Sequence, residues 1–315
     1  MTADLSRHWR TAPADSGHRF DASRHWDASL SLEFAARPTV MATAMPEATS
    51  AATRTRLMRA RHHGPLRVQR PFYPESRVAG QSDPCHIYLL HPPGGLVSGD
   101  ALKVDVSVQE AAHAVLTTPA ATKLYRADSH AVAWSQINRF RVEDGAMLEW
   151  LPQETIAFDG SRGEQQTEIR LQGNARCLGW EIMALGRPAS HLPFESGRIE
   201  QRFRLIHDGR PLWLERQPLD PRHPRFVGRW GQGGATVQAT LWAAGLPSTQ
   251  DAVDAIRAAL PAATNWAVTQ RHGVLLLRYL GDSRNEAWAL CRAAWACLRP
   301  LLVGRQVCEP RIWRT

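Results

Sequence analysis

From about residue 68 to Pro247 the chain is a succession of short runs of alternating apolar and polar residues bounded by turn residues, with almost no helical periodicity. That pattern commits the body of the protein to β-strands. Residues 102–108 show it most plainly. Leu102, Val104, Val106 and Val108 fall on one face and Lys103, Asp105 and Ser107 on the other, as a half-buried strand requires. Comparable runs recur at 113–118, 131–142, 146–151, 164–171, 177–183, 199–207, 212–216, 236–242 and 274–280. Between two of them lies His207-Asp208-Gly209-Arg210, and Asp-Gly suits the positive φ angles of a type I′ hairpin turn.

Helical signals come late. Ser248 with Asp251 three residues on reads as an N-cap opening a short amphipathic helix whose Val253, Ile256 and Leu260 share a face. A second, longer helix begins near Ser283 and Glu286 and carries Trp288, Cys291, Trp295 and Leu298 along one side, with Pro300 expected to end or kink it. Its two Trp residues and the Leu301-Leu302-Val303 run make this helical end the expected docking surface for a helical partner. The resulting organisation is all-β dominated. Residues 1–28 form a polar, aperiodic tail, residues 29–246 the β body, and residues 247–315 a part of helix and strand that completes the same domain. The Ala- and Thr-rich stretch 39–55 reads as an extended strand followed by a loop.

Composition narrows the function classes. No apolar run approaches the roughly 20 residues of a membrane span, and the polar N-terminus lacks the apolar core of a secretory signal, so the expected location is the cytoplasm. Five cysteines, widely spaced and without a C-x-x-C pair, argue against a disulfide framework or a structural zinc site. The net charge of +8 is spread along the chain except for Arg54, Arg56, Arg59, Arg61, Arg67 and Arg70, and no nucleic-acid-binding motif accompanies it.

Four segments carry candidate chemistry. HPPGGLVSGD (91–100) follows an apolar strand and ends in Asp100, which either caps a tight corner or lines a narrow passage opened by the glycines. TTPAATKLYR (117–126) places Thr122 and Lys123 beside a proline bend; Lys123 is one of only two lysines, so an ion pair or a desolvated catalytic amine are its alternatives. In GAMLEWLPQETIAFDGSR (145–162), Glu149, Glu154 and Asp159 punctuate apolar strands, and most acids so placed are surface residues. Glu181 lies opposite the Leu178, Trp180 and Ile182 face, and Glu215 shares a face with Trp213. If both sheet faces are covered, these two glutamates are interior and need partners or ions. No G-x-S-x-G or H-E-x-x-H motif is present.

Taken together, HGPLRVQRPFYPE (63–75), HPPGGLVSGD, TTPAATKLYR, LEWLPQETIAFDG, GRPASHLPFESGRIEQRFRL, GRPLWLER, RYLG, CLRPLLVGR and PRIWRT, in this order, closely resemble the UreD (UreH) family of urease accessory proteins. The resemblance covers about four fifths of the chain. Ala120, Leu124 and Ser98 depart from the residues usual at their positions, and the N-terminal tail has no counterpart. The resemblance implies a β-helical stack of short strands with a small C-terminal helical element. It also implies a non-enzymatic scaffold that links apo-urease to the helical accessory protein UreF and the GTPase UreG during assembly of the nickel site. It further implies no tightly bound cofactor, transient Ni2+, and a passage whose polar residues correspond to Asp100, Thr122, Glu181 and Glu215. Isolated carboxylates suit such a path, since a complete His or Cys set would trap nickel. Two other classes compete: a carboxylate enzyme, which needs Glu154, Asp159 and Lys123 in one pocket, and a basic RNA-binding module, which needs exposed aromatics along the 54–70 stretch.

Overall fold

The structure, a computed structural model, describes residues 26–39 and 53–314. Strands β1 (Trp26–Pro38), β2 (Thr53–His63) and β3 (Arg67–Val68) lead into a repeating course of long, short and long strands. Its first turn is β4 (Cys85–Leu90), β5 (Gly95–Leu96) and β6 (Asp100–Val108); its second is β7 (His113–Thr117), β8 (Thr122–Leu124) and β9 (Trp134–Val142). The third comprises β10 (Met147–Leu151), β11 (Thr155–Ala157) and β12 (Arg162–Leu171), and the fourth β13 (Arg176–Leu185) and β14 (Arg198–His207). Then come β15 (Arg210–Leu219), the single-turn α1 (Pro224–Val227), β16 (Val237–Ala244), α2 (Thr249–Ala259), β17 (Trp266–Arg271), β18 (Val274–Gly281) and α3 (Arg284–Val303).

Each turn pairs in parallel with the next. The first sheet runs β15-β14-β12-β9-β6-β1-β2, and the second runs β17-β18-β16-β13-β10-β7-β4-β3 with β5, β8 and β11 laddered beside it. Strands β14 and β15 pair antiparallel through a tight turn at Asp208 and Gly209, with φ of +46° and +77°; both signs are those of the expected type I′ turn.

Alternation decides the layers. Leu30, Leu32 and Phe34 of β1 and Val104, Val106 and Val108 of β6 meet Ile87, Leu116, Leu148 and Cys177 of the second sheet in one dry core. The other face of the second sheet, with Leu178, Trp180, Ile182, Leu241 and Leu277, is covered by Val253 and Ile256 of α2 and Cys291, Trp295 and Leu298 of α3. Both helices open on the serine caps read from the sequence, Ser248 accepting from the Asp251 N–H and Ser283 from the Glu286 N–H, each at 3.2 Å.

Four expectations need correction. Residues 1–25 and 40–52 lie outside the described residues, and with them most of the expected tail and of the 39–55 stretch; where the description begins, Trp26 to Ala28 are already strand rather than tail. Pro300 does not end α3, which continues to Val303 before Gly304 caps it at φ +65°. One turn beyond the proline is held in place because Leu298, Arg299, Leu302 and Val303 are all buried. Glu149 and Glu154 are not surface acids, being 0% and 3% exposed. Finally, the two tryptophans of α3 are not both displayed for docking: Trp295 is interior and Trp288 packs edge-on against Trp180 and Trp313, while Leu301 on the outer side is 41% exposed.

A buried charge cluster fixes that helix. Glu149 of β10 accepts from Trp295 Nε1 at 2.6 Å, His113 Nε2 at 2.7 Å and Arg299 Nε at 3.0 Å. Arg299, itself 0% exposed, also donates to Glu75 at 2.5 Å, and Glu75 pairs with His86 at 2.7 Å. Every formal charge here has an opposite neighbour, the condition under which buried ions are tolerated.

Candidate functional site

The inward faces of the two sheets are apolar along most of their length but carry a polar band partway along the strands, with Trp134, Ile199, Leu219 and Leu185 of the core on one side of it and Phe140, Ile169, Leu205 and Cys177 on the other. Across the first sheet, Asn138, Thr167, Phe203 and Glu215 stand side by side on β9, β12, β14 and β15. Two residues along the same strands, Gln136, Gln165, Gln201 and Gln217 form a second row. Opposite, Glu181, Thr240 and Arg278 form a row across β13, β16 and β18. Period-two geometry puts each row on one face.

Side chains stitch these rows together. Thr167 Oγ1 donates to Glu181 at 2.5 Å and itself accepts from Asn138 Nδ2 at 3.2 Å. On the other side of the gap Glu215 takes two bonds from the Arg278 guanidinium, at 2.7 and 2.5 Å, and one from Gln217. The amides continue the chain: Gln201 donates to Gln165 at 3.0 Å, Gln238 to Gln201 at 2.6 Å and to Gln217 at 2.7 Å, and Gln232 to Gln238 at 2.6 Å. Between them lies a narrow cavity of about 30 Å³ lined by Glu181, Gln201, Glu215, Gln217, Gln238 and Trp242, room for one or two waters. The Trp242 indole N–H and the Asn138 amide oxygen, both buried, have no hydrogen-bond partner among the described residues.

The two interior glutamates differ in electrostatics. Burial, together with the nearby Glu215 charge and against the bond from Thr167, pushes the Glu181 carboxyl up to about 7. Its folded value lies above the unfolded 4.5, so Glu181 destabilises the fold progressively as pH rises from about 4.5 to 7 and by a constant amount above. Glu181→Gln, which keeps the acceptor for Thr167, is therefore expected to equal the wild type in stability near pH 4 and to exceed it by about 1–3 kcal/mol at pH 8. Urea titrations at the two pH values check this. A variant less stable than wild type at pH 8 would contradict the burial argument.

Of the four residues singled out in the sequence, Glu181 and Glu215 come together here, and Asp100 and Thr122 do not line this cavity. Asp100, buried at the start of β6, accepts from the Val97 N–H at 2.8 Å, and its own N–H donates to Val97 O at 3.1 Å, closing the 97–100 loop. Burial raises its pKa, and the nearby His91 acts against that. Thr122 is half-buried on β8, its N–H donating to Glu154 O at 3.0 Å. The sequence reading missed Asn138, Thr167 and the four glutamines of the first sheet.

The competing site readings lose their support. Lys123 is exposed on β8, Glu154 pairs with Arg284 at 3.1 Å, and Asp159 lines a separate surface cavity with Arg126, Phe158 and Arg187, so the three do not share a pocket. Along the basic stretch, Arg54 covers the Tyr73 ring and Arg70 the Phe72 ring, and both rings are half-buried; stacking faces for bases are therefore occupied. Among the described residues no three His, Cys, Asp or Glu side chains gather as a metal-ion site, and no helix is long and apolar enough to cross a membrane.

Comparison with known proteins places the chain. It is 62% identical over 309 residues to the urease accessory protein UreD of Chromohalobacter salexigens, covering 97% of this chain and 94% of that one. It is 63% identical over 301 residues to urease accessory protein UreD 1 of Psychrobacter cryohalolentis, covering 96% and 95%, and 63% identical over 300 residues to UreD of Marinobacter nauticus, covering 95% and 96%. Residues 40–314 also match the family described as UreD urease accessory protein. Matched nearly end to end by such relatives, this strand-built chain belongs to the UreD urease accessory protein family.

Proposed function

We propose that this chain is a cytoplasmic scaffold that holds apo-urease together with a UreF-like helical protein and a UreG-like GTPase, and that its polar interior carries Ni2+ toward the urease site. Membership of the family makes it a non-catalytic assembly factor in urease maturation. The observation that carries the passage reading is the polar band set within an otherwise apolar inter-sheet core. Polar side chains withdrawn from solvent are costly unless they serve packing specificity or a solute, and here buried and half-buried ones form a continuous course from Gln165 to Glu215 beside the narrow cavity.

The chemistry suits a cargo in transit. Amide and hydroxyl oxygens are weak ligands that can replace waters of a divalent ion one at a time, and two carboxylates supply attraction without completing a tight site. Glu215 is neutralised by Arg278 at rest, which leaves Glu181 as the charge that a passing cation meets. Asp100 and Thr122 enter the proposal through the family resemblance, as a separate stretch of path near the 91–100 loop. The repeated parallel ladder of long, short and long strands supports the β-helical reading of the fold.

Co-expression with the urease subunits and the other accessory proteins tests the scaffold. The chain is expected to co-purify with apo-urease and both partners, and its deletion to leave urease assembled but nickel-poor. Fully nickel-loaded urease in the deletion strain would contradict the assignment.

A further inference from the structure

The loop between β15 and β16 holds Trp230 out in water at 95% exposure, and Val227 beside it at 64%. Neither is displayed by a floppy segment. Phe226 packs against the inter-sheet core, the Gln232 N–H donates to Phe226 O at 2.9 Å, and the Gly231 N–H donates to Gly228 O at 2.9 Å. At Gly231 an added Cβ would lie 1.7 Å from Arg225 O, so the backbone path is fixed by close approach. The loop 221–235 contains Arg222, Arg225 and Arg229 and no acidic residue. All three arginines are exposed, and the Arg229 guanidinium sits 5.7 Å from the Trp230 ring centroid.

We propose that this loop is a docking element for an acidic protein surface with an apolar socket that takes the Trp230 indole, and, resting on the function proposed above, that the surface belongs to apo-urease. A fixed backbone leaves less freedom to be lost on docking, and tryptophan is among the side chains most often dominant in binding energy. The arginines around it steer acidic partners and disfavour basic ones. A single aromatic ring with an aliphatic neighbour fits a protein socket, whereas a nucleic acid strand would call for several stacking rings. The loop also touches the passage: Gln232, two residues from Trp230 and only 5% exposed, donates to Gln238 of the cavity wall. A partner seated on Trp230 is thereby brought next to the polar interior from which it would receive nickel.

The test uses the purified full-length chain and purified apo-urease in biolayer interferometry. Wild-type binding establishes the partner; its absence would overturn the function proposed above and this inference with it. Given wild-type binding, Trp230→Ala is expected to weaken it by at least about 30-fold with an unchanged melting temperature, because the indole packs against nothing that folding buries. Arg225→Glu with Arg229→Glu is expected to slow association and flatten its salt dependence. Undiminished binding by both variants overturns the docking loop while leaving the scaffold standing. So does a wild-type homodimer that Trp230→Ala dissociates without loss of urease binding.

Discussion

Arg299→Met is expected to destabilise the protein by about 3–5 kcal/mol, the usual consequence of removing one partner from a buried ion cluster. Arg299 is the cation shared by Glu149 and Glu75, and without it Glu149 keeps only His113 and the Trp295 N–H, and Glu75 only His86 and the more distant Arg305 at 3.8 Å. The urea unfolding midpoint measures the effect directly. Acid adds an independent signature. Burial alone would raise the Glu149 pKa, but Arg299, His113 and Trp295 hold it down at about 2 against the usual 4.5. Its folded value is depressed, so its contribution is complete above about pH 4.5 and is lost as pH falls toward 2. In Arg299→Met the carboxyl protonates at higher pH, and the acid unfolding midpoint is expected to move upward. A variant with the wild-type urea and acid midpoints would show that the cluster does not hold α3 to the strands. For the same reason, truncation after Gly281 removes part of the core together with the outer side of α3.

Strand existence was legible because period-two alternation is a local property. The run 102–108 falls within β6, and the Asp208-Gly209 turn joins β14 to β15. Short β5, β8 and β11, two or three residues each, were not legible, since so few residues carry no period and their stability comes from ladder pairing with neighbouring turns. The charge cluster was equally hidden, because Glu75, Glu149 and Arg299 are brought together across separations of up to 224 residues. Glu181 and Glu215 stood out as acids in apolar strands. The glutamines did not, because a single Gln in one strand is unremarkable. Only the parallel register that aligns Gln136, Gln165, Gln201 and Gln217 reveals a polar row. A signal was nonetheless present: in residues 134–142 the inward positions run Trp134, Gln136, Asn138, Phe140 and Val142, two polar residues set between apolar ones.

The passage is tested most directly by nickel per urease in cells carrying Glu181→Gln, Glu215→Gln or both. Glu181→Gln is the decisive variant because stability and transport predict opposite signs for it. Removing a carboxyl whose ionisation the fold disfavours should make the scaffold more stable at neutral pH, so reduced nickel cannot be ascribed to unfolding. A neutral amide attracts a divalent cation far less than a carboxylate does. Loss of about 1.4 kcal/mol of attraction corresponds to about a tenfold loss of occupancy. Glu215→Gln also loses the Arg278 clamp between β15 and β18, so complex yield must be measured alongside. The account predicts wild-type yield of the urease complex with nickel per urease reduced about tenfold in Glu181→Gln and further in the double variant. Full nickel loading in the double variant, or nickel loss only in proportion to lost complex, would contradict it.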